Sequence, residues 1–269
     1  MKGPWVFLLL LPTLAFLVVF TYLPLAVAAK EGIPALPQLL SPENLNALRV
    51  TALYTLLTAP LSVALGLLAA VAVEGHGRLR LLARLLIFHP VILPTVGFAA
   101  VFLYLLNPLG PLRNVLQAAG FPNPLGEPLS AFLSVVLVGV LKDAGFYMLY
   151  YLAGLQSIPK ELIEAARVDG AGRIVTFLRV SLPLLSPTTF FVGVMAVLGA
   201  LRNVDHIFVL TKGGPLGATD HLLYRIYILG FEYFDFSQAA ALSLVLFTAL
   251  TLLALTALPR LERGVYYDA

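Results

Sequence analysis

Two adjacent charges, Lys142 and Asp143, interrupt a run from 129 to 156 that otherwise contains no Asp, Glu, Lys or Arg. At the centre of a lipid-embedded helix each would cost about 2.5–3.5 kcal/mol. They must therefore face a cavity, a neighbouring helix or a subunit interface. An ionisable pair in such a run is a functional candidate by default; the competing reading is a structural pair at an interface. Gly145, two residues on, allows either a bend or the close approach of another backbone. Asn203, flanked by Arg202 and Asp205 at the end of a second apolar run, offers groups suited to a solute's hydroxyls or to the membrane edge. His89-Pro90 and Pro94 lie in a third run. A lone His without Cys or a carboxylate at ligand spacing makes neither a metal site nor a proton relay, and the prolines read as a kink. The chain has no cysteine, which excludes disulfides and thiolate metal sites. It also has no Gly-x-x-x-x-Gly-Lys-Ser/Thr phosphate loop. With four scattered His and no paired membrane carboxylates, no catalytic constellation converges, and the chemistry on offer is binding and passage.

The elements that must position these residues are membrane spans. The chain is 60% hydrophobic and 12% charged, with a mean hydropathy of +0.94, whereas soluble domains carry about 25% charged residues. Residues 3–29, 50–73, 85–112, 180–201 and 236–259 contain no Asp, Glu, Lys or Arg, and each exceeds the roughly 20 residues that a spanning helix needs. With 129–156 they make six transmembrane helices, since the runs lack the alternation of barrel strands. The first run is about twice as long as a signal-peptide core and reads as a retained helix. The expected fold is all-α: one polytopic membrane domain over 1–269, with no soluble domain and no nucleic-acid partner. With the N-terminus inside, ten Lys/Arg face the cytoplasm (Lys2, Arg78, Arg80, Arg84, Lys160, Arg167, Arg173, Arg179, Arg260, Arg263) and six face outward (Lys30, Arg49, Arg113, Arg202, Lys212, Arg225). This bias places both termini and the loop at 157–186 in the cytoplasm. Ser41-Pro42-Glu43 is a helix-start signal, expected to open a short interfacial helix, and 112–119 is expected to form another. Thr211-Lys212-Gly213-Gly214-Pro215 opens a polar loop to 236. Tyr224, Tyr227, Phe231, Tyr233 and Phe234 read as an interfacial aromatic belt.

The loop at 157–186 is polar, yet its residues suit helices. Ser157-Ile158-Pro159-Lys160-Glu161 combines a cap, a first-turn Pro and an acidic residue near the positive helix end. Leu162, Ile163 and Ala166 form an apolar stripe. Asp169-Gly170 ends the helix, Gly being suited to the left-handed position after it. A second short helix follows over about 172–180, and Leu182-Pro183 turns into the fifth span. The outcome is a helix-turn-helix knob, or, on composition alone, an amphipathic loop lying on the membrane.

The spacing Glu164-Ala165-Ala166, three residues, Gly170, nine residues, Val180, one residue, Leu182-Pro183 resembles the signature of permease subunits of binding-protein-dependent ABC importers, with Val180 where Ile is usual. The resemblance implies the type I importer permease fold, in which this loop carries a coupling helix seated in a groove of an ATPase subunit. Carried over, Glu164, Ala165, Ala166, Asp169, Gly170 and Ala171 would face the ATPase, and Leu182 and Pro183 would anchor the loop. Lys142-Asp143-Ala144-Gly145-Phe146, Leu152 to Pro159, Leu210 to Pro215 and Phe231 to Phe236 resemble the carbohydrate-uptake branch, in particular the maltose-type and glycerol-3-phosphate-type first permease subunits. By the same resemblance Asn203 would lie close to the solute site, while Lys142, Asp143 and Gly145 are pathway candidates from their place within the span. Ala196, Gly199 and Ala200 are smaller and less polar than the maltose-type pocket positions. The implied assembly is this chain, a second homologous permease, two ATPase subunits and an extracytoplasmic substrate-binding protein, in a prokaryotic inner membrane. ATP and Mg2+ would be used by the ATPases; this chain would bind no cofactor and hydrolyse nothing. An ion-gradient-driven secondary transporter or channel is the alternative. It would call for carboxylate relays or inverted repeats, neither of which is apparent.

Overall fold

The computed structural model describes residues 5–264, and the regular structure among them is entirely helical. Helix α1 (Trp5–Leu17) passes through a π-turn into α2 (Leu23–Gly32) and then a 3-10 stretch, Ile33–Leu40. Together they supply the first apolar span, Leu10–Leu40. Helix α3 (Pro42–Val73) is the second span. Ser41 caps it, its Oγ accepting from the Asn44 N–H at 3.3 Å, and Pro42 takes the first turn, where a missing N–H costs nothing. The separate interfacial helix expected here does not form, because the start signal opens the span itself.

The third span departs most from a simple rod. Helix α4 (Arg78–Ile92) and α5 (Thr95–Leu105) meet at a bend of 102°. Pro94 has no N–H to give α4, and its ring pushes the preceding residue out of the helical region; Leu93 accordingly sits at φ −66°, ψ 142°. Pro90, by contrast, stays within α4. The short helix α6 (Arg113–Ala118) follows the third span. Next comes α7 (Pro128–Ser157), the most enclosed of the long helices. Helix α8 (Lys160–Val168), α9 (Arg173–Thr176), a π-turn and α10 (Leu182–Leu184) make up the polar insert. The fifth span is α11 (Ser186–Arg202) continued by α12 (Asp205–Leu210). The loop after it is not wholly irregular: α13 (Leu222–Tyr227) and a π-turn precede the last span, α14 (Phe236–Gly264). Among the described residues four spans are continuous helical stretches, the fifth is interrupted at Asn203, and the bent α4–α5 pair makes the sixth. Lys2 and both extreme termini lie outside the described residues.

The packing is that of a membrane bundle. On α3 the buried positions include Tyr54, Thr58, Ala59, Ser62, Gly66 and Ala70, while Leu53, Leu56, Leu61, Leu65 and Leu68 are exposed. In lipid nothing drives leucines inward, so small and hydroxylated residues take the helix contacts and leucines face the acyl chains. At the α8 end of the bundle, Val73, Met148, Tyr151, Leu155, Leu185 and Val192 form one core. At the opposite end, Tyr54, Phe98, Val135, Val138, Val204 and Ile207 form a second.

That far end is also cross-linked by polar groups. The Tyr54 hydroxyl lies 3.0 Å from His206 Nε2, and His221 Nε2 is 3.1 Å from the Ala200 carbonyl. The Leu222 N–H donates to Thr51 Oγ1 at 2.7 Å, Asn46 Nδ2 to the Gly217 carbonyl at 2.8 Å, and Asn44 Nδ2 to Gln238 Oε1 at 3.2 Å. These bonds fasten the 211–221 loop to α3 and the start of α3 to α14.

Candidate functional site: a cavity between two broken spans

Two chain breaks meet at one cavity of ≈ 500 Å³. Val91, Leu93, Pro94 and Thr95 come from the α4–α5 bend; Lys142, Asp143, Phe146 and Tyr147 from the middle of α7; Met195, Leu198, Gly199, Arg202 and Asn203 from the end of α11. Asn203 makes the second break. Its N–H still reaches the Gly199 carbonyl at 2.8 Å, but at φ −87°, ψ 99° the helix stops and α12 starts afresh two residues later. Discontinuous helices at mid-membrane are how transporters present polar groups to a solute without exposing backbone to lipid.

The polar side chains converge. A β-carbon placed on Gly199 would lie 3.4 Å from the Tyr147 hydroxyl, 3.5 Å from Asn203 Nδ2 and 3.9 Å from Asp143 Oδ2. A phenol, a carboxamide and a carboxylate from two helices thus surround one small volume, with Arg202 and Thr95 also on its wall. This set can donate to and accept from hydroxyl groups, and it carries charges of both signs. Lys142 points elsewhere within the same wall. Its Nζ donates to the carbonyls of Pro90 (2.6 Å), Val91 (3.3 Å) and Leu93 (2.6 Å) and lies 5.8 Å from the centre of the Phe98 ring.

Of the residues expected to border the pathway, Lys142, Asp143 and Asn203 come together here, and Gly145 does not line the cavity. Helix α7 continues unbroken through Gly145. A side chain there would collide with the Ile87 carbonyl, and the glycine serves the close approach of α4. Ala196 and Ala200 are buried in helix packing rather than in the cavity, leaving Gly199 as the pocket position of the three. His89 is exposed on α4, and no group of three His, Cys, Asp or Glu among the described residues is placed to hold a metal. Tyr147 had no signal in the sequence, because a tyrosine in an aromatic-rich span is indistinguishable from packing.

The insert is a knob of two short helices. Gly170 adopts φ +81°. The Gly170 N–H donates to the Arg167 carbonyl at 3.0 Å and the Ala171 N–H to the Ala166 carbonyl at 2.9 Å, the paired bonds that close a helix through a left-handed residue. Glu164, Ala165, Asp169 and Gly170 are exposed, and Ala166 and Ala171 partly so. Val168 and Ile174 stand out at 87% and 75% exposure, two large apolar side chains at the tip with no cover in this chain. Leu182 and Pro183 lie on the short turn before α11, but the buried tether is Leu185, 1% exposed, packed against Gly154 of α7.

At the opposite end, Lys212, Asp220, Tyr224, Arg225, Glu232 and Tyr233 line a smaller hollow of ≈ 290 Å³. Burial pushes the Asp220 carboxyl up to about 6, partly offset by Arg225. Burial also holds His221 down to about 4, against the opposing effect of the Ala200 carbonyl.

A bundle of six spans, a cavity between broken helices and an exposed knob at one face define a transport subunit driven from outside itself. Residues 62–263 match the family described as binding-protein-dependent transport system inner membrane component, and the chain belongs to that family. It is therefore the translocation subunit of an ABC importer, in which ATP hydrolysis resides in a separate subunit. This disposes of the secondary-transporter alternative. The chain is 34% identical over 240 residues to the sn-glycerol-3-phosphate transport system permease protein UgpA of Agrobacterium fabrum, covering 88% of this chain and 82% of that protein. It is 37% identical to the UgpA of Yersinia pseudotuberculosis over 77% of this chain and 71% of that one. It is also similar to a chain in the crystal structure of a bacterial ABC transporter involved in the import of the acidic polysaccharide alginate. The TM-score is 0.82 at 25% identity, covering 97% of this chain and 96% of that one. A second structure of a bacterial alginate transporter, in complex with an alginate pentasaccharide-bound periplasmic protein, gives a TM-score of 0.79 at 26% identity.

Proposed function

We propose that the cavity between the two broken spans is the solute path, and that its cargo is a hydroxyl-rich solute, a sugar or sugar derivative. The observation that carries this reading is the convergence of Tyr147, Asn203 and Asp143 around Gly199. Asp143, Asn203, Tyr147 and Arg202 would contact the solute, while Lys142 and Gly145 shape the wall. The relatives named for glycerol 3-phosphate and alginate transport support a polyhydroxylated cargo. All of residues 1–269 form one membrane domain in this reading, with both termini and the knob in the cytoplasm, as the Lys/Arg bias favours.

Glu164, Ala165, Ala166, Asp169, Gly170 and Ala171 dock on an ATPase subunit, and the Leu182-Pro183 turn, held through Leu185, passes the movement to α11. The working assembly contains this chain, a second permease, two ATPase subunits that use ATP and Mg2+, and an extracytoplasmic binding protein. The test is uptake into proteoliposomes by the purified complex with its binding protein. Radiolabelled sn-glycerol 3-phosphate, alginate oligosaccharides and neutral oligosaccharides are offered with internal ATP. ATP-dependent accumulation of one of these, lost in Asn203→Leu, is expected. Accumulation unchanged in that variant would remove the cavity from the path.

A further inference from the structure

We infer that Lys142 is a latch: a positioning residue that holds the bend of the third span closed rather than a group that touches the solute. The bend leaves the C-terminal carbonyls of α4 without helical partners. Ordinarily the last four carbonyls of a helix find caps or water, and Pro94, lacking an N–H, supplies nothing. The negative end of the α4 dipole also points at this spot. Lys142 reaches it from α7 and donates to the carbonyls of Pro90, Val91 and Leu93 at 2.6, 3.3 and 2.6 Å. An ammonium has three N–H donors and no acceptor, so these three bonds occupy all of them and none remains for a solute.

The same ammonium lies 5.8 Å from the centre of the Phe98 ring, within cation–π reach. Phe98 belongs to α5, so Lys142 grips both arms of the bend. Gly145, one turn along α7, admits the α4 backbone that brings these carbonyls within range. The neighbouring Asp143, facing the polar cluster, is left to the solute. The latch rests on the geometry of the bend, and its link to transport rests on the cavity being the path.

The chain has no cysteine, which allows spin labels at Leu82→Cys on α4 and Val101→Cys on α5, both more than half exposed. Pulsed electron-electron resonance is recorded on the complex purified with cysteine-free partner subunits. The wild-type background is expected to give one narrow distance distribution, Lys142→Met a broad or shifted one, and Lys142→Arg a narrow one. A general packing role would lower the yield of complex without moving the distance. If Lys142→Met does not assemble, Lys142→Gln, with two N–H donors and no charge, is read instead and is expected to broaden the distribution partially. A wild-type distribution in Lys142→Met, or in Lys142→Gln where that variant is needed, overturns the latch. Unchanged uptake in Asn203→Leu would sink the solute path while leaving this distance measurement intact, so the two claims fail separately.

Discussion

Asn203 ends α11 and, by ending it, turns a carboxamide toward Tyr147 and Asp143. Replacing it with Leu removes both donor and acceptor and leaves the opposing groups without a partner. A lost hydrogen bond to the solute costs about 0.5–1.5 kcal/mol, so the uptake efficiency of proteoliposomes is expected to fall by up to about tenfold, with the ATPase still co-purifying. Wild-type uptake kinetics would exclude Asn203 from the path. Gly170 is the other residue whose identity is dictated by local geometry. Valine at φ +81° strains the backbone by about 1–3 kcal/mol and would open the turn that presents the knob. In Gly170→Val, ATP hydrolysis is expected to lose its coupling to uptake, or the ATPase to fall away on purification. Intact, coupled complex would refute the role assigned to the turn.

The elements were legible to the extent that their cause is local. Ser41 and Pro42 start α3, Gly170 ends α8, and unbroken apolar runs mark the spans, because caps, left-handed turns and lipid burial each act within a few residues. Some details turned on non-local contacts. The third span reads as a kinked rod, yet the chain turns by 102° at Leu93-Pro94, an angle that Lys142, some 50 residues away in the sequence, helps to satisfy. His206 and His221 look scattered, and only the fold brings both to Tyr54. The polar loop after the fifth span hides α13, whose helical signal is too short to stand against its flanking glycines and proline.

The loop at 211–221 makes a pH prediction. Asp220, raised to about 6 from its usual 3.8, takes up its proton earlier in the folded state than in the unfolded one. It therefore adds stability as pH falls through that window. His221, lowered to about 4 from 6.5, has the opposite sign: the unfolded chain takes up the proton first, and stability drops as pH falls from 6.5 towards 4. Wild type thus has two opposed contributions, and Asp220→Asn retains only the destabilising one. The thermal midpoint of the Asp220→Asn complex is expected to fall further than that of wild type between pH 6.5 and 4.5. Parallel curves would show that Asp220 does not titrate in that range.

On the scale of the whole molecule, a knob at one end, a cavity between broken helices and a polar lattice at the other end lie on one bundle. Helix α7 runs from the lattice past the cavity to the knob, and the buried Leu185 connects the knob to α11 and hence to Asn203. Such a bundle suits rigid-body switching between two packings, since close-packed interfaces hold discrete arrangements rather than deforming continuously. In the proposed assembly, the knob's exposed Val168 and Ile174 find their cover on the ATPase. The measurement that tests this account most directly is the sidedness of a single cysteine in the cavity, Leu198→Cys, in a complex otherwise free of cysteine. The account predicts reaction with a membrane-impermeant thiol reagent from one face of the membrane in the nucleotide-free complex and from the opposite face once ATP and vanadate have trapped it. Reactivity from the same face in both states, or from neither, would contradict it.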